Sequence, residues 1–184
     1  TDDTLASVRG LKKLDITGCK SDRLTNATFR KLRGISSLKM SGCSQPVITD
    51  EAFSYLSGIK ELDMSWCDQE SITDAAFTHL AGVERLIMQR CTQSGITDAA
   101  FAPLAGIKEL DISGCTQRGI TEAMLSSVAG VQHLNVSCCT QLSSVSDAAL
   151  VALKGVLTLN ISGLGLHARR DHIKNLTHAS RLIS

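Results

Sequence analysis

Apolar and polar residues follow two different spacings in this chain, and the two spacings alternate along its whole length. In the segment IKELDISGC, residues 107–115, the apolar Leu110 and Ile112 alternate with the polar Glu109 and Asp111. Strict alternation predicts a β-strand that buries one side against a core and turns the other side to solvent.

The segment ITDAAFAPLAG, residues 96–106, has the spacing of a helix, because Phe101 and Leu104 are three positions apart and share one face. Thr97 precedes this face and is a suitable N-cap residue. Pro103 lies inside the segment and removes a backbone donor, so we predict a short helix with 3₁₀ character. The two segments together predict a unit that consists of a strand, a loop and a short helix.

This unit repeats with a period of 24 residues. The units begin near residues 1, 24, 48, 72, 96, 120, 145 and 168, and together they predict a single domain over residues 1–184. Such self-similarity is typical of a solenoid, in which each unit buries its apolar face against its neighbours. The large apolar position of the helix is occupied in successive units by Leu5, Phe29, Phe53, Phe77, Phe101, Leu125, Leu150 and Ile173.

We predict an α/β solenoid of about seven repeats, with a curved parallel sheet on the concave face and short helices on the convex face. Helices need more room than strands that stack about 4.8 Å apart, so the stack has to curve toward the sheet. The chain opens at a helix-cap position and ends partway through a strand, which predicts a right-handed solenoid fragment without end caps of its own.

The strand motif resembles that of leucine-rich repeat proteins. LKKLDITGC, residues 11–19, and IKELDISGC match the pattern L-x-x-L-x-L-x-x-N/C. With the ITD that follows and a downstream Phe/Leu-x-x-Leu, the unit resembles the cysteine-containing subfamily, best known from substrate-recognition subunits of cullin–F-box ubiquitin ligases. The chain departs from that subfamily by placing four residues between Cys91 and Ile96, where two are usual, and by lacking a second cysteine after the helix. The resemblance implies a scaffold for protein recognition.

Six of the seven cysteines share the 24-residue period. We interpret them as buried structural thiols that hold the loop backbone, because stacked side chains pointing the same way lack disulfide geometry. Free thiols in this number favour a reducing compartment, so we predict a cytoplasmic or nuclear protein. Four sequons, at Asn26, Asn135, Asn160 and Asn175, keep an extracellular location open. These ladder cysteines are Cys19, Cys43, Cys67, Cys91, Cys115 and Cys139.

Cys138 stands in the position before a ladder cysteine, which most units fill with glycine. Its predicted exposure makes it the most reactive thiol of the chain. Cys138 and His133 are expected on the solvent side of the strand and Cys139 on the buried side, so the three do not converge on a metal ion. The chain shows no phosphate-binding loop and no Ser-His-Asp arrangement. We therefore predict no enzyme activity, no metal and no cofactor.

Nineteen basic and eighteen acidic residues give a formal net charge of +1, without the basic footprint of a nucleic-acid-binding protein. No apolar run approaches the roughly 18 residues of a membrane span. We therefore predict a monomeric protein whose partner is another protein and neither nucleic acid nor a membrane.

Three columns of residues on the solvent side of the strands depart from their usual residue types in the third and fourth units. The column before the ladder cysteine contains Gly18, Gly42, Trp66, Arg90, Gly114, Cys138 and Gly163. A second column contains Asp15, Lys39, Asp63, Ile87, Asp111, Asn135 and Asn160. The third contains Lys13, Ser37, Glu61, Arg85, Glu109, His133 and Thr158.

Trp and Arg are the residue types most enriched among interface hot spots, and an exposed isoleucine beside them enlarges the apolar area. We therefore predict a partner-binding site at Trp66, Arg85, Ile87 and Arg90, with a charged rim of Glu61, Asp63, Glu109 and Asp111.

The alternative is that these residues satisfy one another. Trp66 and Arg90 are one strand apart, close enough for a cation–π contact, and Glu61, Arg85 and Glu109 are placed to form a lateral ion-pair ladder. On this alternative the chain is a structural spacer within a larger protein, including an extracellular one.

Overall fold

The computed structural model describes residues 10–166 and 169–184. Within them, eight three-residue strands form one sheet, and each strand pairs in parallel with the next one along the chain. In-register partners such as Leu62 and Leu86 are one repeat apart, so the period of the sequence is also the register of the sheet. The strands are β1 (Lys13–Asp15), β2 (Ser37–Lys39), β3 (Glu61–Asp63), β4 (Arg85–Ile87), β5 (Glu109–Asp111), β6 (His133–Asn135), β7 (Thr158–Asn160) and β8 (Arg181–Ile183).

Short helices connect the strands on the opposite side of the core. The segment Asp98–Leu104 contains Pro103 and is 3₁₀ over its whole length, which confirms the prediction made from the proline. Further 3₁₀ helices are Arg30–Leu32, Thr78–Leu80 and Thr140–Leu142. The α-helices are α1 (Asn26–Phe29), α2 (Asp50–Ser54), α3 (Asp74–Phe77), α4 (Met124–Ser127), α5 (Asp147–Val151) and α6 (Arg170–Thr177).

One continuous apolar core lies between the sheet and the helices. The strands contribute inward residues such as Leu62 and Met64, and the four phenylalanines of the helix column are completely buried. The rings of Phe77 and Phe101 lie 6.5 Å apart between centroids, at an interplanar angle of 44°. Each unit therefore buries its largest side chain against the next unit, as a solenoid requires. Leu5, the first member of this column, lies outside the described residues.

The Ile-Thr-Asp motif links neighbouring units. Thr97 caps its own helix, because its side chain accepts a hydrogen bond from the backbone N–H of Ala99. The backbone N–H and the hydroxyl of Thr97 both donate to the carboxylate of Asp74 in the preceding unit, at 2.7 Å each. The same pair of bonds joins Thr73 to Asp50 and Thr121 to Asp98.

A buried glutamine two positions after the ladder cysteine also links neighbouring units. The Nε2 of Gln93 donates to the backbone carbonyl of Cys67, one unit earlier, at 2.8 Å. Gln117 occupies the same position and is 6% exposed, but neither atom of its side-chain amide has a hydrogen-bond partner. The glutamines that repeat the bond of Gln93 are Gln45, Gln69 and Gln141.

We predict that Gln93→Leu and Gln117→Leu differ in stability. The first removes the donor of the buried Cys67 carbonyl and is expected to lower the free energy of unfolding by about 1–2 kcal/mol. The second removes two buried amide atoms that bond to nothing, so stability is expected to stay the same or increase. Urea denaturation followed by tryptophan fluorescence measures both. Equal losses would show that the bond to Cys67 does not stabilise the turn.

Candidate functional site

The position before the ladder cysteine lies in a turn and not in a strand. The strands are shorter than the alternating pattern predicts, because the chain enters the left-handed region at this position in every unit from the first to the seventh. Glycine adopts that region without a steric penalty. We call these seven positions the turn column: Gly18 (φ 69°), Gly42 (69°), Trp66 (58°), Arg90 (52°), Gly114 (70°), Cys138 (58°) and Gly163 (76°).

Three members of the turn column carry a side chain in a backbone conformation that disfavours one. A left-handed residue other than glycine costs roughly 1–2 kcal/mol. Trp66 and Arg90 occupy the turns after β3 and β4, and Cys138 the turn after β6. The sequence showed that glycine had been replaced here, and the structure shows what glycine contributes at the other four positions. Such outliers point to a function for the side chain.

Trp66 and Arg90 contact each other on the solvent side of the sheet. The guanidinium carbon of Arg90 lies 4.9 Å from the centroid of the indole ring, within the range of a cation–π interaction. Trp66 remains 55% exposed. A side chain at Gly114 would collide with Arg90, since a Cβ there would lie 2.9 Å from its Cγ. Gly114 therefore makes room for the arginine as well as for the turn.

The solvent-facing side of the sheet, which we call the open face, places Arg85 beside this pair. The Nε of Arg85 donates to Glu109 at 2.8 Å, with both side chains about two-fifths exposed. Glu61 accepts instead from the hydroxyl of Ser37, at 2.9 Å. Within the described residues the expected ladder therefore has one ion pair, Arg85–Glu109. A shallow depression crosses β1 to β4 and is lined by Lys13, Leu14, Asp15, Ser37, Lys39, Glu61 and Arg85.

The expectation that Ile87 is exposed to solvent is wrong, since only 7% of its surface is accessible. It faces the open side of the sheet, but Asp63 and Asp111 flank it in register. The longer Gln89, two positions along the chain, reaches Asp111 with Nε2 at 2.8 Å from the carboxylate. Close side chains on a short strand thus cover the isoleucine, which forms part of the floor of the face.

Asp63 and Asp111 shape the turns that follow their strands. Asp63 accepts from the backbone N–H of Ser65 at 3.0 Å, and Asp111 accepts from that of Ser113 at 2.9 Å. An acid or asparagine two positions before serine is a known way to form such a turn. The repeated pairs in DMS, DIS, NVS and NIS carried this signal, although the role predicted for these carboxylates was only that of a binding rim. Gln89 was not among the predicted site residues.

The ladder thiols hold the backbone of the preceding unit. The Sγ of Cys91 donates to the carbonyl of Met64 at 3.2 Å. Burial is the main cause that raises the pKa of four other ladder thiols, to about 11 for Cys43 and about 12 for Cys67, Cys115 and Cys139. These four make the same kind of bond, to Ile16, Met40, Met88 and Ile112.

Cys138 is exposed, whereas Cys19 is partly buried. Among the described residues, no group of three or more His, Cys, Asp or Glu side chains is arranged to hold a metal ion. None of the helices in that part of the chain has the length and apolarity that crossing a membrane requires.

Three of the four sequon asparagines have side chains engaged in hydrogen bonds. Asn26 donates to the hydroxyl of Thr49 at 2.9 Å, and Asn135 donates to Asp111 at the same distance. Asn160 accepts from the backbone N–H of Ser162. These bonds give each of the three asparagines a structural role within the solenoid.

Comparison with protein-family models and with curated proteins gives no match. Solved structures do match, and each of the following has a repeat-built fold. Human 5T4, a trophoblast glycoprotein also called Wnt-activated inhibitory factor 1, has a TM-score of 0.71 and 19% identity over 94% of this chain. The internalin InlF from Listeria monocytogenes has a TM-score of 0.71 and 20% identity over 98% of this chain. TLR13, solved in complex with ssRNA13, has a TM-score of 0.57 and 22% identity over 76% of this chain.

The fold is a leucine-rich repeat solenoid. The structural matches and the eight-stranded parallel sheet confirm the predicted fold class. The solenoid covers 20% of the TLR13 chain, 50% of the internalin chain and 69% of the 5T4 chain.

We predict that Cys138 is the first thiol of the solenoid to be alkylated. It is exposed, whereas burial raises the pKa of the five buried ladder cysteines and so suppresses their thiolate form at neutral pH. Brief treatment of the native protein with iodoacetamide, followed by mass-spectrometric mapping, measures the order of labelling. Cys19 is expected next and the buried thiols only after denaturation. Equal labelling of all seven sites would contradict this prediction.

We also predict that Cys138→Gly stabilises the solenoid. Glycine removes the left-handed penalty of the turn, so the free energy of unfolding is expected to rise by about 1 kcal/mol. Cys138→Ser is the matched control, because serine keeps a Cβ in the same conformation and is expected to leave the stability unchanged. Chemical denaturation measures both variants. A glycine variant no more stable than the serine variant would show that the turn is unstrained.

Proposed function

We propose that this solenoid is a protein-recognition scaffold and that its partner docks on the open face, which we take to be concave. The centre of the site is Trp66, Arg85, Ile87 and Arg90. The observation that carries the proposal is the replacement of glycine by tryptophan and arginine at two adjacent left-handed turns. The left-handed backbone disfavours these large side chains, so the turn itself is not the reason that they are present.

The magnitudes favour recognition over self-stabilisation. Two left-handed residues cost roughly 2–4 kcal/mol together, at 1–2 kcal/mol each. An exposed cation–π contact returns only about 0.5–1 kcal/mol. The contact between Trp66 and Arg90 therefore does not recover the strain of the two turns. Binding a partner is a role that would keep the pair despite this net cost.

The open face offers such a partner a graded surface. Trp66 supplies exposed aromatic area, and the buried Ile87 supplies an apolar floor. The proposed rim residues are Glu61, Asp63, Glu109 and Asp111, and their bonds within the solenoid hold them in place. Fixed charges at a rim serve orientation and association rate more than affinity.

We further propose that the solenoid is the recognition part of a larger protein. The cysteine ladder and the ITD motif support an intracellular ligase-like setting, in which the module selects the protein to be modified. The chain lengths of TLR13, the internalin and 5T4 support a longer architecture of another, receptor-like kind. Buried free thiols favour the first, since they persist in a reducing compartment.

A structural spacer is the second candidate. Two observations favour it, the contact of Arg90 with Trp66 and the ion pair of Arg85 with Glu109, because both satisfy exposed side chains internally. In a spacer, restoring glycine in the turn column would improve stability and cost nothing else. The nucleic-acid partner of TLR13 is not the one proposed here, since acidic side chains outnumber basic ones on the strands β3, β4 and β5.

We predict that Trp66→Ala and Arg90→Ala each weaken partner binding about thirtyfold. Truncating a hot spot typically costs about 2 kcal/mol or more, which corresponds to that factor in Kd. A photoreactive residue at the exposed Lys39 of β2 can capture the partner on the open face. Calorimetry with the purified partner then gives Kd for each variant.

The helix side offers a matched control for this experiment. Arg33 lies 5.1 Å above the ring of Tyr55, which repeats the arginine–aromatic contact away from the open face. Tyr55→Ala and Arg33→Ala are expected to leave Kd unchanged. If both open-face variants bind normally while the helix-side variants do not, the site lies on the other side of the solenoid.

A further inference from the structure

We infer that Arg90 and Trp66 together receive a single carboxylate of the partner, with an apolar partner group packed on the exposed indole beside it. The inference rests on the proposed function and names the chemistry that the site recognises. It begins from a difference between Arg90 and three basic side chains of the same and the adjacent units.

Three basic side chains of the same and the adjacent units have anionic partners within the solenoid. Arg85 pairs with Glu109, and Lys60 and Lys108 both pair with Glu84, at 3.4 and 2.6 Å. In the part of the chain that the structure describes, Arg90 makes no ion pair and its guanidinium donates no hydrogen bond. Its contact is with an aromatic face, which attracts the charge but accepts none of its five N–H donors.

Three features of the structure position the guanidinium. A left-handed backbone fixes where the side chain leaves the turn, the absent side chain of Gly114 admits its stem, and the indole of Trp66 supports its plane. A planar fork fixed in this way suits bidentate binding of a carboxylate. Less conformational freedom is lost on binding, which increases the affinity gained per contact.

Space for the carboxylate and its backbone lies on the side of Arg90 that faces away from Trp66. A shallow depression there is lined by Gln89, Arg90, Ser113, Gly114, Ser137 and Cys138. Its lining is polar and small and includes no acidic side chain. The carboxylate of Asp111, which contacts two of the lining residues, already accepts from Gln89, Asn135 and the backbone N–H of Ser113. The exposed indole on the other side suits an apolar or aromatic group.

The surrounding charge limits the ligand to one carboxylate. Residues 43–125 contain twelve acidic and five basic side chains, although the whole chain is nearly neutral. Glu61 and Asp63 lie on the strand that precedes Trp66. A run of acids would be repelled by this region, whereas one acid flanked by apolar or basic residues is tolerated. The inferred partner segment is therefore an isolated Asp or Glu beside an apolar residue.

The test is selection of binders from a random peptide library on the whole solenoid, followed by calorimetry with synthetic peptides. We expect the selected sequences to share one Asp or Glu next to an apolar residue. Changing that acid to its amide is expected to weaken binding to the wild type between tenfold and a hundredfold, as for hydrogen bonds to charged groups. The same peptide change is expected to have no effect on binding to Arg90→Gln, because the group that distinguishes acid from amide is gone.

Two variants complete the experiment. Arg118→Gln removes an exposed arginine outside the open face and is expected to bind like the wild type. Arg90→Lys keeps the charge but loses the fork, so it is expected to lie between the wild type and Arg90→Gln. Unfolding midpoints equal to that of the wild type show that the variants are folded.

The outcomes separate this inference from the proposed function. Peptides that require Trp66 but tolerate the change from acid to amide would overturn the carboxylate and leave recognition on the open face standing. Peptides that bind Trp66→Ala as well as the wild type would overturn both. A selection that yields no binder of the open face would count against both as well.

Discussion

This structure depends on hydrogen bonds between residues that lie one repeat unit apart. In the central units three side chains cross to the preceding unit: Cys91 and Gln93 bond to backbone carbonyls, and Thr97 bonds to an aspartate. The glutamine and the threonine bond to buried or half-buried polar groups of the preceding unit. The thiol adds a second bond to a carbonyl that already accepts from a backbone N–H of its own unit. Leaving such groups unsatisfied is costly, so insertion or deletion within a unit would disturb several bonds at once. This requirement favours a nearly constant unit length, which is 24 residues between in-register partners from β1 to β6, then 25 from β6 to β7 and 23 from β7 to β8.

The same constraint explains why so much of the fold was predictable from the sequence. Phe77 and Phe101 indicate the buried face of the helices, and Leu110 and Ile112 indicate the buried face of the strand. The constant interval between equivalent positions of successive units indicates that the units stack. The same pattern recurs in every unit, so a unit whose helix or strand is ambiguous by itself can be assigned from the others. The length of the strands was not predictable from alternation, because the turn residue Gly114 continues the polar pattern while its backbone has left the sheet.

The candidate site was predictable as an anomaly but not as a geometry. Trp66 and Arg90 were visible as departures from glycine, yet backbone handedness is not written in a hydropathy pattern. The burial of Ile87 depends on neighbours that come from adjacent strands and from Gln89, so the residue type alone suggested the opposite. Asp63 and Asp111 illustrate the reverse case, in which charged residues that looked functional also form turns. A sequence pattern predicts well whether a position is buried or exposed only where the element that contains it determines its burial, and not where neighbouring elements do.

The turn column has a consequence for how such a protein can change. Its seven positions recur along the sheet with the spacing of the strands, and three of them carry a side chain in place of glycine. A filled position restricts the next one, since a side chain at Gly114 would collide with Arg90. Each exchange carries a similar energetic penalty, which limits how many the array tolerates. Only a few positions of the turn column can therefore carry a side chain other than glycine at one time. A new binding specificity can arise when one position returns to glycine and another gains a side chain, while the rest of the chain stays unchanged.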